Sequence, residues 1–251
     1  MRYCIEFSYN GQHYFGYQRQ PQQISVQEEL ERALSTILRT AVKTTGAGRT
    51  DTGVHARKMF AHFDVDFALD PALPMRLNAF LPPDIAIHRL FRVRDDFHAR
   101  FDATYRTYQY YIALDKDPFS QNSAWSYWRR GLSIERMNAA CAILFEYEDF
   151  TSFSKLNTDV KTNLCKIYKA EWTQEGRHLV FTISANRFLR NMVRAIVGTM
   201  VDIGSGKIAP EDLHGIIQAK YRNSAGVSAP AQGLFLVDVG YPWEQALIIE
   251  D

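Results

Sequence analysis

The chain has 251 residues, 46% of them apolar and 23% charged, which suits one large or two small globular domains and excludes a largely disordered segment. No apolar run reaches the roughly 18 residues of a bilayer crossing, and Met1 opens onto Arg2, Glu6 and alternating apolar residues, so a soluble, unexported, cytoplasmic protein with no membrane partner is expected. Lys and Arg number 29 against 28 for Asp and Glu, a balance of +1, so a polyanionic partner can be sought only in how the charge is distributed.

In chain order, Tyr3 to Tyr9 alternates like a strand and runs into an Asn10-Gly11 turn. Ser25 with Glu28 forms a capping box, and Val26, Leu30, Ala33, Leu34, Ile37 and Leu38 recur on one helical face. After the glycine-rich stretch 46–53, Met59, Ala61, Phe63, Val65 and Phe67 alternate with mostly polar residues, the pattern of a half-buried strand. A short helix over Met75 to Phe80, the stop Pro82-Pro83 and a strand over Ile85 to Phe91 complete the first half. Tyr105 to Leu114 then reads as a strand, and Ile134 to Phe145 as a helix started by Ser133. Ile167 to Trp172 and Leu179 to Ala185 read as a hairpin across Glu175-Gly176. A helix after Arg187 is expected to turn Phe188, Met192, Ala195, Ile196, Thr199, Met200 and Ile203 to the core and Arg187, Arg190 and Arg194 to another face. A helix near Leu213 to Ala219 and a strand over Leu234 to Val239 close the chain. This order implies an α+β fold with helices packed on a continuous, mainly antiparallel sheet, in halves 1–104 and 105–251.

Charge is unevenly placed. Between Arg32 and Phe63 there are six cations, Arg32, Arg39, Lys43, Arg49, Arg57 and Lys58, and one carboxylate, Asp51. From Gly176 to Val201 the chain carries Arg177, Arg187, Arg190 and Arg194 without any acid. Solvated faces balanced in space by other acids would give the same pattern. Cys4, Cys141 and Cys165 are odd in number, far apart and without a C-x-x-C pair, which points to reduced thiols rather than disulfides or zinc ligands. His55, His62 and His98 show no metal-ligand spacing, so no metal site is read from them.

The segment Gly46 to Ala56, GAGRTDTGVHA, is the richest in chemistry. Its glycines permit backbone shapes closed to other residues, but the P-loop spacing fails and the surroundings of a dinucleotide fingerprint are missing. Asp51 stands between Arg49 and Thr52 ahead of a strand. It suits either a turn-forming Asx role or, with an arginine beside it to favour the carboxylate, a nucleophile or base.

GRTDTGVHA, together with Phe97-His98-Ala99-Arg100-Phe101, Tyr105-Arg106-Thr107-Tyr108, Asp149-Phe150-Thr151-Ser152-Phe153, Asn191-Met192-Val193-Arg194 and Gly233-Leu234-Phe235-Leu236, resembles the tRNA pseudouridine synthase A family from end to end and in order. The resemblance implies a cofactor-free and metal-free homodimeric isomerase. It would convert uridine to pseudouridine at positions 38 to 40 of the tRNA anticodon stem-loop. It also implies two ferredoxin-like or RRM-like halves around a central basic cleft. By matching motifs, Asp51 is the catalytic nucleophile, Tyr108 stacks on the base, Arg194 pairs with the catalytic carboxylate, Arg49 flips the nucleotide and Arg100 contacts RNA. Tyr17 after Gly16 and Phe80 depart from the family as packing substitutions, and Asn163 to Lys166 departs from an Arg-containing run.

The chemistry fits these residues. The bond from C1′ to N1 must break, the base must turn, and C5 must bond to C1′, so one ionised carboxylate near C1′ or C6 can trap or steer the intermediate. A stacked uridine must first leave the helix, and a cation entering the space would hold it out. An aromatic face such as Tyr108 would receive the base, whereas Tyr105, Tyr110 and Tyr111 read as ordinary strand aromatics. Arg187 and Arg190 suit phosphate binding and strand capping equally. A non-catalytic RNA-binding module and a nucleoside hydrolase-like enzyme are the competing classes, told apart by the effect of Asp51→Ala and by release of free uracil.

Overall fold

β1 (Arg2–Tyr9) is buried on both faces over Tyr3 to Phe7, more fully than the alternation that marks it as a strand requires. The computed structural model describes residues 1–128, 131–155 and 162–248. Their strands form a large, mostly antiparallel open sheet flanked by helices, the mixed α+β class expected from the sequence. Contacts group the chain into two units, Met1–Tyr105 with Leu236–Asp251, and Arg106–Phe235.

In the first unit β1 lies between β3 (His55–Asp64) and β4 (Ile85–Val93), antiparallel to both. The two-residue β2 (Thr45–Gly46) pairs with His62 and Ala61 of β3. α1 (Val26–Leu38) begins where the capping box places it, with the Ser25 hydroxyl accepting from the Glu28 amide at 3.3 Å. Arg39 in the left-handed region ends it. α2 (Leu73–Phe80) carries Pro74 in its first turn, where the missing amide costs nothing.

β3 departs from the half-buried strand expected. It ends at Asp64 instead of reaching Phe67, and Phe60 and His62, on the face expected to be polar, are buried. The cause is the C-terminal stretch. Tyr241 and Trp243, the latter opening the short α6 (Trp243–Ala246), pack against Phe60 with ring centroids 5.3 Å away in each case. Residues from Leu236 onward therefore belong to the first unit rather than to a half running 105–251. β9 (Leu234–Gly240) leads into this stretch and carries Asp238.

In the second unit β5 (Tyr105–Ala113) pairs antiparallel with β8 (His178–Ala185), which pairs with β7 (Ile167–Glu175) through the expected hairpin, with Gly176 at φ 59°. The two-residue β6 (Trp125–Ser126) lies parallel to β5. α3 (Ile134–Leu144) is capped by Ser133 as expected. α4 (Met192–Gly204) is almost wholly buried, and α5 (Asp212–Gln218) follows it.

α4 corrects the expected start of its helix. It begins at Met192, after Asn191 at φ 67°, so Arg187, Phe188 and Arg190 lie in the preceding segment and only Arg194 is helical. A left-handed residue breaks the helical run, so the three arginines share no helix face.

Candidate active site

The loop carrying Asp51 is built on the segment that follows β1. β2 and the Ala47 amide, donating to the Phe60 carbonyl at 2.8 Å, fix the entry to the loop against β3. The Val54 amide then donates to the Asp51 carbonyl at 3.1 Å, closing a tight turn with Gly53 at φ 77°, a conformation that favours glycine. Asp51 thus sits at the first corner of this turn, half-buried, with Arg49 exposed two residues before it.

The segment 9–17 grips this turn from outside. The Gly53 amide donates to the Tyr14 carbonyl at 3.3 Å and the Tyr17 amide to the Thr50 carbonyl at 3.4 Å. The Tyr9 hydroxyl and Thr50 Oγ1 are 2.9 Å apart. The Gly11 amide donates to Nδ1 of the buried His55 at 3.1 Å. Two glycines permit this approach: a Cβ on Gly11 would lie 2.0 Å from the Val54 carbonyl oxygen, and one on Gly16, itself at φ 88°, 2.3 Å from that of Thr50. Tyr17 fills the space under the loop, with its ring against Gly46, so it is indeed a packing residue.

Arg100 projects from a second fixed loop of the same unit. His62 Nδ1 accepts from the Ala99 amide at 3.1 Å, His98 Nδ1 from the Arg100 amide at 3.1 Å, and Asp102 from the His98 amide at 2.8 Å. The Tyr241 hydroxyl donates to the Ala99 carbonyl and Arg2 to that of Phe97 at 2.8 Å. Burial, with Arg2 and His98 nearby, pushes the His62 pKa down to about 4, so the ring stays neutral and keeps its acceptor nitrogen. Arg100 is exposed, its guanidinium carbon 5.8 Å from the centre of the exposed Phe101 ring.

Tyr108 and Arg194 belong to the second unit. Tyr108 pairs with Ile183 across β5 and β8 and meets Phe188 edge-on, centroids 5.2 Å apart, which leaves its ring half-buried. Its strand neighbours are engaged elsewhere: Tyr110 donates to the Pro230 carbonyl at 2.7 Å and Tyr111 to Gln109 at 2.7 Å. Arg194, in the first turn of α4, donates through Nε to the Ala229 carbonyl at 2.7 Å, while the Ala229 amide returns a bond to the Arg194 carbonyl at 2.9 Å. Segment 226–229 lies so close to α4 that a Cβ on Gly198 would stand 1.8 Å from the Val227 oxygen.

The remaining cations divide. Lys58 pairs with Asp238 at 2.8 Å, and Lys43 lies 3.7 Å from the buried Glu31. Arg32 pairs with Glu29 and lies 5.0 Å from the ring of Phe80. Arg32, Lys43 and Lys58 are therefore balanced locally. Burial works against the Asp238 carboxylate, yet hydrogen bonds from Lys58 and Tyr105 outweigh it and hold its pKa below the usual value. Arg187 donates to the Thr162 carbonyl at 3.1 Å, a backbone-capping role. Asn163, Cys165 and Lys166 make local backbone and side-chain bonds. The three cysteines are buried free thiols, and burial raises all three pKa values, that of Cys165 to about 11. Among the described residues no helix is long and apolar enough to cross a membrane, and no group of three or more His, Cys, Asp or Glu side chains could hold a metal ion.

Sequence reasoning missed the two grips, 9–17 on the Asp51 turn and 222–229 on α4. Their signal is faint: Gly11, Gly16, Gly198 and Gly226 look like ordinary turn or helix glycines until the backbone that each one admits is known.

The comparisons with known proteins give the class, an RNA-modifying isomerase. The tRNA pseudouridine synthase profile matches residues 6–102 and 141–242. The chain is 51% identical to tRNA pseudouridine synthase A of Parabacteroides distasonis, over 100% of this chain and 99% of that one. It is 53% identical to the Bacteroides fragilis enzyme of the same name, over 97% of each, and 54% identical to that of Bacteroides thetaiotaomicron, over 96% and 91%. The solved structure described as a Cbf5-Nop10-Gar1 complex aligns with 93% of this chain and 57% of that one at 13% identity and a TM-score of 0.36, too weak a likeness to add to these. The chain belongs to the tRNA pseudouridine synthase family, whose members isomerise uridine in transfer RNA.

Proposed function

We propose that this isomerase acts at positions 38 to 40 of the anticodon stem-loop, with Asp51 as the nucleophile, as a cytoplasmic homodimer. The observation that carries the reading is the setting of Asp51: half-buried, at the corner of a turn whose two sides are hydrogen-bonded to segment 9–17. A carboxylate so fixed can attack without first paying for its own ordering. In this reading Arg49 enters the stem as the target uridine leaves it, and Tyr108 offers its ring to the extruded base. Arg194, aligned by Ala229, serves as the counter-ion of the Asp51 carboxylate.

Asp51 either displaces N1 at C1′ or adds to C6 before the C1′ to N1 bond breaks. The base turns and C5 bonds to C1′; the bond from Asp51 breaks, by displacement at C1′ or elimination from C6, and frees the carboxylate, while the C5 proton is lost and N1 ends protonated, so the reaction is redox-neutral. Arg100, on its separate fixed loop, holds the RNA backbone at a second point. The test is to incubate the protein with unmodified tRNA and map pseudouridine along the anticodon arm. Product confined to positions 38 to 40 supports the reading, and modification elsewhere, or release of free uracil, overturns it.

A further inference from the structure

We infer that Tyr9, acting through Thr50, is a positioning residue that aims the Asp51 carboxylate. The inference rests on Asp51 being the nucleophile and goes beyond it by assigning a task to a hydroxyl outside the GRTD loop.

β1 meets β3 in regular register from Arg2↔Asp64 to Phe7↔Met59, but Tyr9 faces Ala56, so β3 carries one extra residue just after the catalytic turn. A bulge of this kind re-aims the side chains beside it. The Tyr9 ring is 4% exposed and stacked between Phe7 at 6.1 Å and Tyr17 at 6.5 Å, which leaves it little freedom to rotate. Its hydroxyl ends 2.9 Å from Thr50 Oγ1.

Thr50 immediately precedes Asp51 and is tied at both ends, by Oγ1 to Tyr9 and by its carbonyl to the Tyr17 amide. On the other side of Asp51 the Gly53 amide is tied to Tyr14. The backbone contacts alone would hold the turn in place. The Tyr9 hydroxyl adds the direction from which Thr50, and with it the Asp51 Cα, is approached. Removing it leaves a rigid ring and a threonine hydroxyl free to seek water, a change expected to loosen the aim of Asp51 while leaving the fold intact.

The experiment compares Tyr9→Phe, Thr50→Val, the double variant, Thr50→Ser and Asp51→Ala in single-turnover pseudouridine formation with saturating protein and unmodified tRNA. Kd for the same tRNA and Tm are measured beside it. Tyr9→Phe and Thr50→Val should each slow the step about tenfold, since a misplacement near 1 Å costs about a hundredfold and this loss is smaller. Kd should stay within about twofold, the double variant should be no slower than either single one, and Thr50→Ser should restore most of the rate. A hydroxyl serving only stability would lower Tm and leave the rate of the folded protein unchanged, and that result overturns the inference. So does additive slowing in the double variant, or a loss confined to Kd. If Asp51→Ala is inactive while Tyr9→Phe and Thr50→Val match the parent, the positioning role alone fails. If Asp51→Ala turns over normally, the nucleophile reading fails and takes the positioning role with it.

Discussion

Replacing Gly198 by alanine sets two effects of known size against each other inside α4. In a helix interior alanine is favoured over glycine by about 1 kcal/mol, so propensity alone raises stability. The added Cβ, however, would stand 1.8 Å from the Val227 oxygen and 2.9 Å from its carbonyl carbon, and the chain there would have to retreat by about 1.2 Å to reach even a tight contact. That retreat pulls on the Gly226 amide bond to Thr199 Oγ1 at 2.9 Å and on both bonds between Arg194 and Ala229. Overpacking costs about 1–3 kcal/mol and each of the three weakened hydrogen bonds about 1 kcal/mol, so against the propensity gain the steric side wins by about 3–5 kcal/mol. For a chain of this length that is a fall in Tm of about 6–20 °C, read by differential scanning calorimetry. Turnover measured well below the transition should fall further than RNA affinity, because Arg194 loses its backbone anchor. An unchanged or raised Tm would refute the reasoning, since it would mean that segment 226–229 yields to α4 without cost.

Asp51→Glu moves the carboxylate by one methylene, about 1 Å, and should cost about a hundredfold in the single-turnover rate with tRNA binding retained. Arg100→Ala should weaken tRNA binding and make the log-log dependence of affinity on salt shallower by about one unit. Arg49→Ala should reduce turnover more than binding, and a salt series on an anticodon stem-loop separates the two. The His62 pKa, lowered to about 4 by burial, makes the unfolded chain bind the extra proton between roughly pH 6.5 and 4, so stability should fall as pH drops through that window. A urea titration at pH 7 and pH 5 should show this fall in the parent and a smaller one in His62→Gln, which keeps an acceptor for the Ala99 amide. Ser25→Ala should cost about 1 kcal/mol by removing the α1 cap, visible as a lower urea midpoint with unchanged slope.

Local signals in the sequence carried most of the elements. The Ser25 and Ser133 caps, the hairpin at Gly176 and the strand β1 each depend on neighbours within a few residues, and each appears where the residues place it, although β1 is buried on both faces. What failed depended on distant chain. The outer face of β3 is buried because residues more than 180 positions from Phe60 lie on it, and no periodicity within 55–64 could show that Phe60 meets Trp243. The start of α4 failed for another reason: Asn191 adopts a left-handed conformation that single-residue propensity does not foretell, and so Arg187 and Arg190 leave the helix. Asp51 and its loop stood out through the GRTDTGVHA motif and the family resemblance it carries, since an acid amid glycines by itself suits an Asx turn as well. The grip on that loop was not, since a glycine shows its purpose only beside the backbone it admits.

The central claim, that Asp51 forms the bond that drives uridine isomerisation in the anticodon arm, is tested most directly by mapping pseudouridine after incubating unmodified tRNA with the parent protein and with Asp51→Ala. The parent should modify positions 38 to 40 without releasing uracil, and Asp51→Ala should leave them unmodified while binding the tRNA with similar affinity. Pseudouridine formed by Asp51→Ala at a rate near that of the parent would contradict the account.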